Sequence, residues 1–281
     1  MIISTNYCGG LGNQLFQIFN IISLSIDYQI PFYLLDKSYS DSVCFNRSVY
    51  WNNLFYSLRN ILQNDNFFKQ NNFTIINENG FNYNKIRLPI DKNIMLQGYF
   101  QSYKYFIHNY NYIIDILNFN KIQQEVQNKY ISKYDFNNLN SIHFRLGDYK
   151  KLQNCHPVID ANYYISAVKI IIEKTNIYNF LIFYEQEDYE YVFNICNILK
   201  NLVIQFDYIM INTDIPDYEQ MICMSLCQNN IIANSTFSWW GAFLNNNKIK
   251  NIIYPSTWFG PGIAIPPESL LDLFPSNWLK I

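Results

Sequence analysis

The chain has 281 residues and a formal net charge of −2, from 20 Lys+Arg against 22 Asp+Glu. Its residues are 49% hydrophobic, 18% aromatic and only 15% charged, enough apolar surface for a large core, which excludes disorder. The balanced charge lacks the basic field of a non-specific nucleic-acid binder, and the length suits one large or two smaller domains.

Residues 1–8 read as a short strand ending at Gly9-Gly10-Leu11-Gly12. Leu15, Phe16, Phe19, Ile22 and Ile26 then recur at helical spacing, and residues 31–35 read as the next strand, a βαβ opening. Residues 38–95 are Asn-rich and weakly periodic, residues 94–100 read as a strand, and residues 120–135 as a polar helix. From residue 141 the pattern is regular. Strands are predicted at 141–145, 180–184, 203–206, 230–233 and 252–254, alternating with helices at 163–174, 188–199, 216–227 and 236–244. This alternation implies a parallel sheet with helices on both faces, in which ligands bind at the carboxyl ends of strands. The expected organisation is two α/β domains facing a cleft, 1–138 and 139–281.

Six Cys, at 8, 44, 155, 196, 223 and 227, form no CxxC pair, and with three His there is no zinc pattern. They read as reduced, mostly buried thiols. Sequons at Asn46, Asn72 and Asn234 are expected by chance in a chain with 40 Asn. No positive n-region precedes an apolar stretch, and residues 15–35 are broken by polar residues and Pro31, so a soluble cytoplasmic protein is expected.

Three constellations stand at predicted strand ends. In Gly9-Gly10-Leu11-Gly12-Asn13-Gln14 the glycines permit a sharp turn and close approach to a ligand at a helix start; a tight βα turn alone would also explain them. It is neither GxGxxG nor a P-loop, which removes an NAD-dependent enzyme. In His143-Phe144-Arg145-Leu146-Gly147-Asp148-Tyr149, a strand delivers an Arg, a Gly and an Asp at its end. Arg145 is one of only four Arg in the chain, with Arg47, Arg59 and Arg87. Its guanidinium can grip phosphate through two hydrogen bonds, which Lys cannot reproduce; the alternative is a turn ion pair with Asp148. In Asn234-Ser235-Thr236-Phe237-Ser238-Trp239-Trp240-Gly241, hydroxyl residues open a helix, where they either cap its N–H groups or line a phosphate. Trp239 and Trp240 are either core or site.

GGLGNQLFQ, HFRLGDY and NSTFSWWGAFL, in this order, resemble the α-1,2-fucosyltransferases of glycosyltransferase family 11, and Gln97-Gly98-Tyr99-Phe100-Gln101 and Tyr254-Pro255 extend the resemblance. It implies a GT-B arrangement of two facing Rossmann-like domains, the N-terminal on the acceptor side and the C-terminal on the donor side. It also implies GDP-L-fucose as donor, a glycan as acceptor, an α-1,2 linkage to a galactoside made with inversion, and no metal or other cofactor. Arg145 would hold the β-phosphate. Asn234, Ser235, Thr236 and Phe237 would lie along the diphosphate and nucleoside, His143 near the phosphates or fucose, and Gly10, Gly12 and Asn13 toward the sugar. Asp148 is the candidate base, or else orients Arg145.

The chain departs from the family pattern at three places. A second Arg is replaced by Leu146, an acidic pair appears as Glu185-Gln186, displaced toward Glu187 and Asp188, and an Asp is replaced by Gln220. A carboxylate at 220 would suit guanine, whereas an amide offers one donor and one acceptor face, so a relaxed or changed base preference is expected. Two alternatives stay open: transfer of another nucleotide-linked 6-deoxyhexose, and an inactive nucleotide- or carbohydrate-binding relative.

Overall fold

The computed structural model describes residues 1–40, 47–89, 91–263 and 265–281; Cys44 and Asn46 lie outside the described residues. The chain divides into two units, Met1–Ile122 with Pro266–Pro275, and Gln123–Ile265 with Ser276–Ile281.

The first unit is built on a three-stranded parallel sheet. Its strands are β1 (Ile3–Thr5), followed by α1 (Leu11–Tyr28), and, later in the chain, β6 and β7. Between them lie β2 (Leu34–Leu35), β3 (Tyr39–Ser40), β4 (Arg47–Ser48), β5 (Leu62–Gln63), α2 (Asp65–Gln70), β6 (Phe73–Asn77) and β7 (Asn93–Gln97). The sheet order is β1-β7-β6; β2 pairs with β5 and β3 with β4 outside it. Leu15, Phe16, Ile18, Phe19 and Ile22 of α1 are buried, and Gln14, Gln17, Asn20 and Ser23 on its other side are buried as well. The helix ends where Gln29 turns left-handed at φ 55° and its N–H bonds the Ile26 and Ser25 carbonyls. α3 (Tyr110–Ile116) follows. Segment 266–275 belongs here because Asp272 is tied down three ways: its side chain accepts from the Tyr83 N–H at 3.0 Å, its carbonyl accepts from the Ser102 hydroxyl at 2.8 Å, and it pairs with Lys104.

The second unit opens within α4 (Phe119–Tyr130) and continues through β8 (Asn140–His143), α5 (Ala161–Thr175), β9 (Asn179–Phe183), α6 (Tyr189–Leu202), β10 (Asp207–Met210), α7 (Asp217–Leu226), β11 (Asn230–Ile231), α8 (Thr236–Phe243), β12 (Ile252–Tyr254) and β13 (Leu279–Lys280). Its six strands are all parallel, in the order β10-β9-β8-β11-β12-β13. Counted within the unit this is 3-2-1-4-5-6, the dinucleotide-fold order whose ligand crevice lies where the winding reverses, between strands 1 and 4. Here those strands are β8 and β11.

The observed units divide at 122/123, where the sequence reading placed the division at 138/139. The difference has a packing cause: Gln123 donates to Ser225 Oγ and to the Leu244 carbonyl, both at 3.0 Å, and Lys129 pairs with Glu219. The strand expected at 203–206 lies instead at Asp207–Met210. Val203 is the buried C-cap of α6, Gln205 at φ 68° turns the chain, and Phe206 packs on Phe180 before the strand begins. The unassigned stretch 38–95 contains β6, whose exposed residues give no apolar alternation. Burial pushes the Cys196 and Cys223 thiols up to about 12, so both are inert at neutral pH. No helix of the described residues is long and apolar enough to cross a membrane.

Candidate active site

β8 and β11 are adjacent, with Ser141 opposite Asn230 and Ile142 opposite Ile231. The chain leaving β8 therefore carries His143 to Asp148 to the same edge of the sheet as Asn234 to Phe237, which leave β11. Tyr149 joins them: its hydroxyl donates to the Asn234 carbonyl at 3.1 Å. Two of the three motifs thus flank the switch point.

Arg145 is the charge at the centre of this edge. One end of its guanidinium pairs with Asp148 and the other with Glu185, while Tyr149 lies beneath it at 4.9 Å. Burial opposes its charge, but Glu185, Tyr149 and Asp148 more than offset that, and its pKa stands above the ordinary guanidinium value. The Arg145–Asp148 turn pair anticipated as an alternative is present. The turn that carries Asp148 is pinned from below by Asp188, which is buried, accepts from the Gly147 N–H at 2.9 Å and pairs with Lys150. Leu146, where a second Arg was expected, is 2% exposed, a burial that would penalise an unpaired ion.

His143 ends β8 with its ring 5.5 Å from Phe237, so the site joins the two motifs through rings as well. Burial, with the Arg145 charge added, holds the imidazole down at about 3. It is neutral at physiological pH, and its buried Nδ1 has no hydrogen-bond partner. His156 stacks on Tyr149 at 4.9 Å and packs against Phe259, and burial lowers its pKa too.

Ser235 is the N-cap of α8: its hydroxyl accepts from the Phe237 N–H at 3.3 Å. Capping is thus the observed use of one of the hydroxyl residues; Thr236 is the first residue of the helix. Asn234 donates to the carbonyls of Pro157 at 2.9 Å and Trp258 at 3.2 Å, while its buried Oδ1 has no partner. Bonded and 2% exposed, this Asn is no accessible glycan acceptor. Trp239 and Trp240 are fully buried, and Trp239 stacks on Phe243 at 4.6 Å and packs against Trp278, so both are core. Gln220 lies in the first turn of α7, and its amide donates to the Ile215 carbonyl at 2.8 Å, leaving the amide oxygen as acceptor.

In the first unit the glycine turn has two kinds of glycine. Gly9 sits at φ +78°, and a Cβ there would lie 2.5 Å from Asn13 Nδ2, so only glycine fits. A Cβ on Gly10, the uncapped N-cap of α1, would meet nothing within 4 Å. Gly12 is buried in the first turn of the helix. Gln14 donates to the carbonyls of Gly9 at 3.0 Å and Ser48 at 2.9 Å, and Gln17 accepts from the Cys8 N–H at 2.8 Å. These two glutamines hold the turn from the helix side. Asn13 is more exposed than they are and accepts from Gln101 at 2.9 Å.

Tyr149, within its motif, and Glu185, Asp188, His156 and Gln101, which touch motif residues, were not picked as site residues from the sequence. Gln101 and Tyr149 had a signal, since they fall in family-like segments, as did Glu185 and Asp188 in the displaced acidic pair; the contact of His156 exists only after folding. Among the described residues no group of three or more His, Cys, Asp or Glu could hold a metal ion.

The glycosyl transferase family 11 profile matches residues 3–261. The O-antigen biosynthesis glycosyltransferase WbnK of Escherichia coli is 34% identical over 127 residues, 43% of this chain and 39% of that protein. An alpha-1,2-colitosyltransferase of Escherichia coli is 30% identical over 207 residues, 70% of this chain and 66% of that protein. Each match spans less than two thirds of the relative's own length. A solved mutant of Arabidopsis thaliana FUT1 in complex with GDP is 10% identical, with a TM-score of 0.53 over 90% of this chain and 70% of that chain. The ADP-heptose LPS heptosyltransferase II of Escherichia coli is 9% identical, with a TM-score of 0.52 over 100% of this chain and 89% of that chain. These likenesses show the fold class, which is that of the GT-B glycosyltransferases, as expected. A family match through both units, on a fold shared with solved glycosyltransferases, places the chain: it belongs to glycosyl transferase family 11.

Proposed function

We propose that this family 11 protein is a glycosyltransferase that moves L-fucose from GDP-L-fucose to a glycan hydroxyl, forming an α-1,2 linkage to a galactoside with inversion and without a metal ion. The observation that carries the reading is Arg145: the chain's only Arg after Arg87 stands at the switch-point edge, beside the start of α8. Nucleotide diphosphates bind at such an edge, and a fixed guanidinium can neutralise the departing diphosphate as the bond to the sugar breaks. In this reading Arg145 holds the β-phosphate. The start of α8, with Asn234, Ser235, Thr236 and Phe237, runs along the diphosphate and nucleoside, where a helix N-terminus favours negative charge. Neutral His143 supplies a hydrogen bond without adding charge. Gln220 faces the base. The first unit is the acceptor side, with Gly10, Gly12 and Asn13 toward the sugar. Asp148 either takes the acceptor's proton or keeps Arg145 in place.

The colitosyltransferase relative supports the α-1,2 linkage and also favours a second reading, transfer of a sugar other than fucose. The test is a screen of nucleotide sugars against mono- and disaccharide acceptors, with and without EDTA, reading GDP release and product linkage by NMR. The expected result is α-1,2-linked fucose, insensitive to EDTA. Transfer from a different donor alone would establish the second reading. Tight GDP binding with no transfer to any acceptor would make the protein an inactive binder.

A further inference from the structure

Arg145 carries one positive charge and faces two carboxylates, Asp148 and Glu185. A diphosphate gripped by the same guanidinium would bring more negative charge to a place already holding a surplus, and like charges that close do not all stay. One carboxylate must yield, and the two are built differently. Asp148 is three residues from Arg145 in the same turn and its side chain is 21% exposed; that of Glu185 is 45% exposed. The Glu185 backbone is extended, at φ −87° and ψ 140°, and its carbonyl is anchored by the Asp188 N–H at 2.8 Å, while its side chain caps nothing. Its carboxylate can therefore leave by side-chain rotation alone. It reaches Arg145 across Gly147, which sits at φ +33° and where any Cβ would collide with Glu185 Oε2. Asp188, on the other side of the turn, is 1% exposed and keeps its hold on Gly147 and Lys150 whatever Glu185 does.

We propose that Glu185 is a displaceable counter-ion of the donor site: in the free protein its carboxylate fills the place at Arg145 that a diphosphate takes, and diphosphate binding drives it aside. This deepens the reading of Arg145 as the phosphate-binding group and rests on it. Part of the binding free energy is spent on breaking the Glu185 pair, so the apparent affinity for diphosphate is lower than Arg145 alone would give.

The test is calorimetric titration of GDP, inorganic pyrophosphate and guanosine into the wild type, Glu185→Gln, Glu185→Ala and Arg145→Ala, with thermal unfolding to confirm that each variant is folded. Removing the carboxylate should tighten GDP and pyrophosphate by about three- to tenfold, the range of a partly exposed ion pair, and leave guanosine unchanged. Arg145→Ala should weaken both phosphates, and adding Glu185→Gln to it should then gain nothing. Unchanged or weaker pyrophosphate binding in both Glu185 variants, with Arg145→Ala still damaging, overturns the counter-ion role and leaves the phosphate reading intact. Equal tightening of guanosine also overturns it. Pyrophosphate binding indifferent to Arg145→Ala overturns both.

Discussion

Arg145→Lys keeps the charge but loses the planar fork, so one group can no longer hold two phosphate oxygens and stay paired with Asp148. Turnover at saturating donor should fall by about 10²-fold or more, as for a lost oxyanion donor; near-normal turnover would remove Arg145 from its assigned role. His143 makes a prediction about stability. Its imidazole is held down to about 3 in the folded chain, while an unfolded His titrates near 6.5. Between those values the unfolded chain binds a proton that the folded chain does not. Stability from this residue is therefore complete above about pH 6.5 and lost as pH falls toward 3, by up to about 5 kcal/mol. Urea unfolding at a series of pH values should show a shallower acid slope in His143→Gln than in the wild type. Parallel slopes would mean that His143 is not buried neutral.

At the scale of elements, the site depends on where α7 and α8 cross. Gly241 is the close approach: a Cβ there would lie 2.8 Å from Met224 Cβ and 3.4 Å from the Met221 carbonyl. Gly241→Ala should cost about 1–3 kcal/mol in urea unfolding, since the facing Cβ cannot step aside as a flexible side-chain end can. Equal midpoints would mean the helices slide apart freely. The start of α7 also carries the question of the base. With its amide nitrogen bonded to the Ile215 carbonyl, Gln220 offers an acceptor but no charge, a weaker partner for guanine's two adjacent N–H groups than a carboxylate. A relaxed preference predicts comparable thermal shifts with GDP and UDP. A clear shift with GDP and none with UDP would show that Gln220 has not loosened the base site.

At the scale of the whole molecule, the donor reading assigns GDP to the second unit. At about 100 times its Kd a ligand adds about 2.7 kcal/mol, which slows globally exchanging amides about 100-fold. Hydrogen exchange should show that slowing in β8, β9 and β11, with added protection at 145–150 and 234–238, and unchanged rates in α2 and β6. Protection concentrated in the first unit would reverse the donor and acceptor assignments. Much of the second unit was legible because buried parallel strands and amphipathic helices leave strong periodic marks, as in 180–183 and 163–174. β10 was misplaced because it is half-exposed, while the apolar residues before it, Val203 at the end of α6 and Phe206 after the Gln205 turn, are buried. β6 and the two-residue strands β3, β4 and β5 were not legible, because elements that short or exposed carry no period. The motifs by themselves determined that chemistry gathers at loops following strands, and that one rare Arg stands among them. The pairing of β8 with β11, and the arrival of Glu185 beside that Arg, were decided only by the tertiary structure. A charge's partners are set by distance in space, and Glu185 comes to Arg145 only because β9 lies beside β8 in the folded sheet.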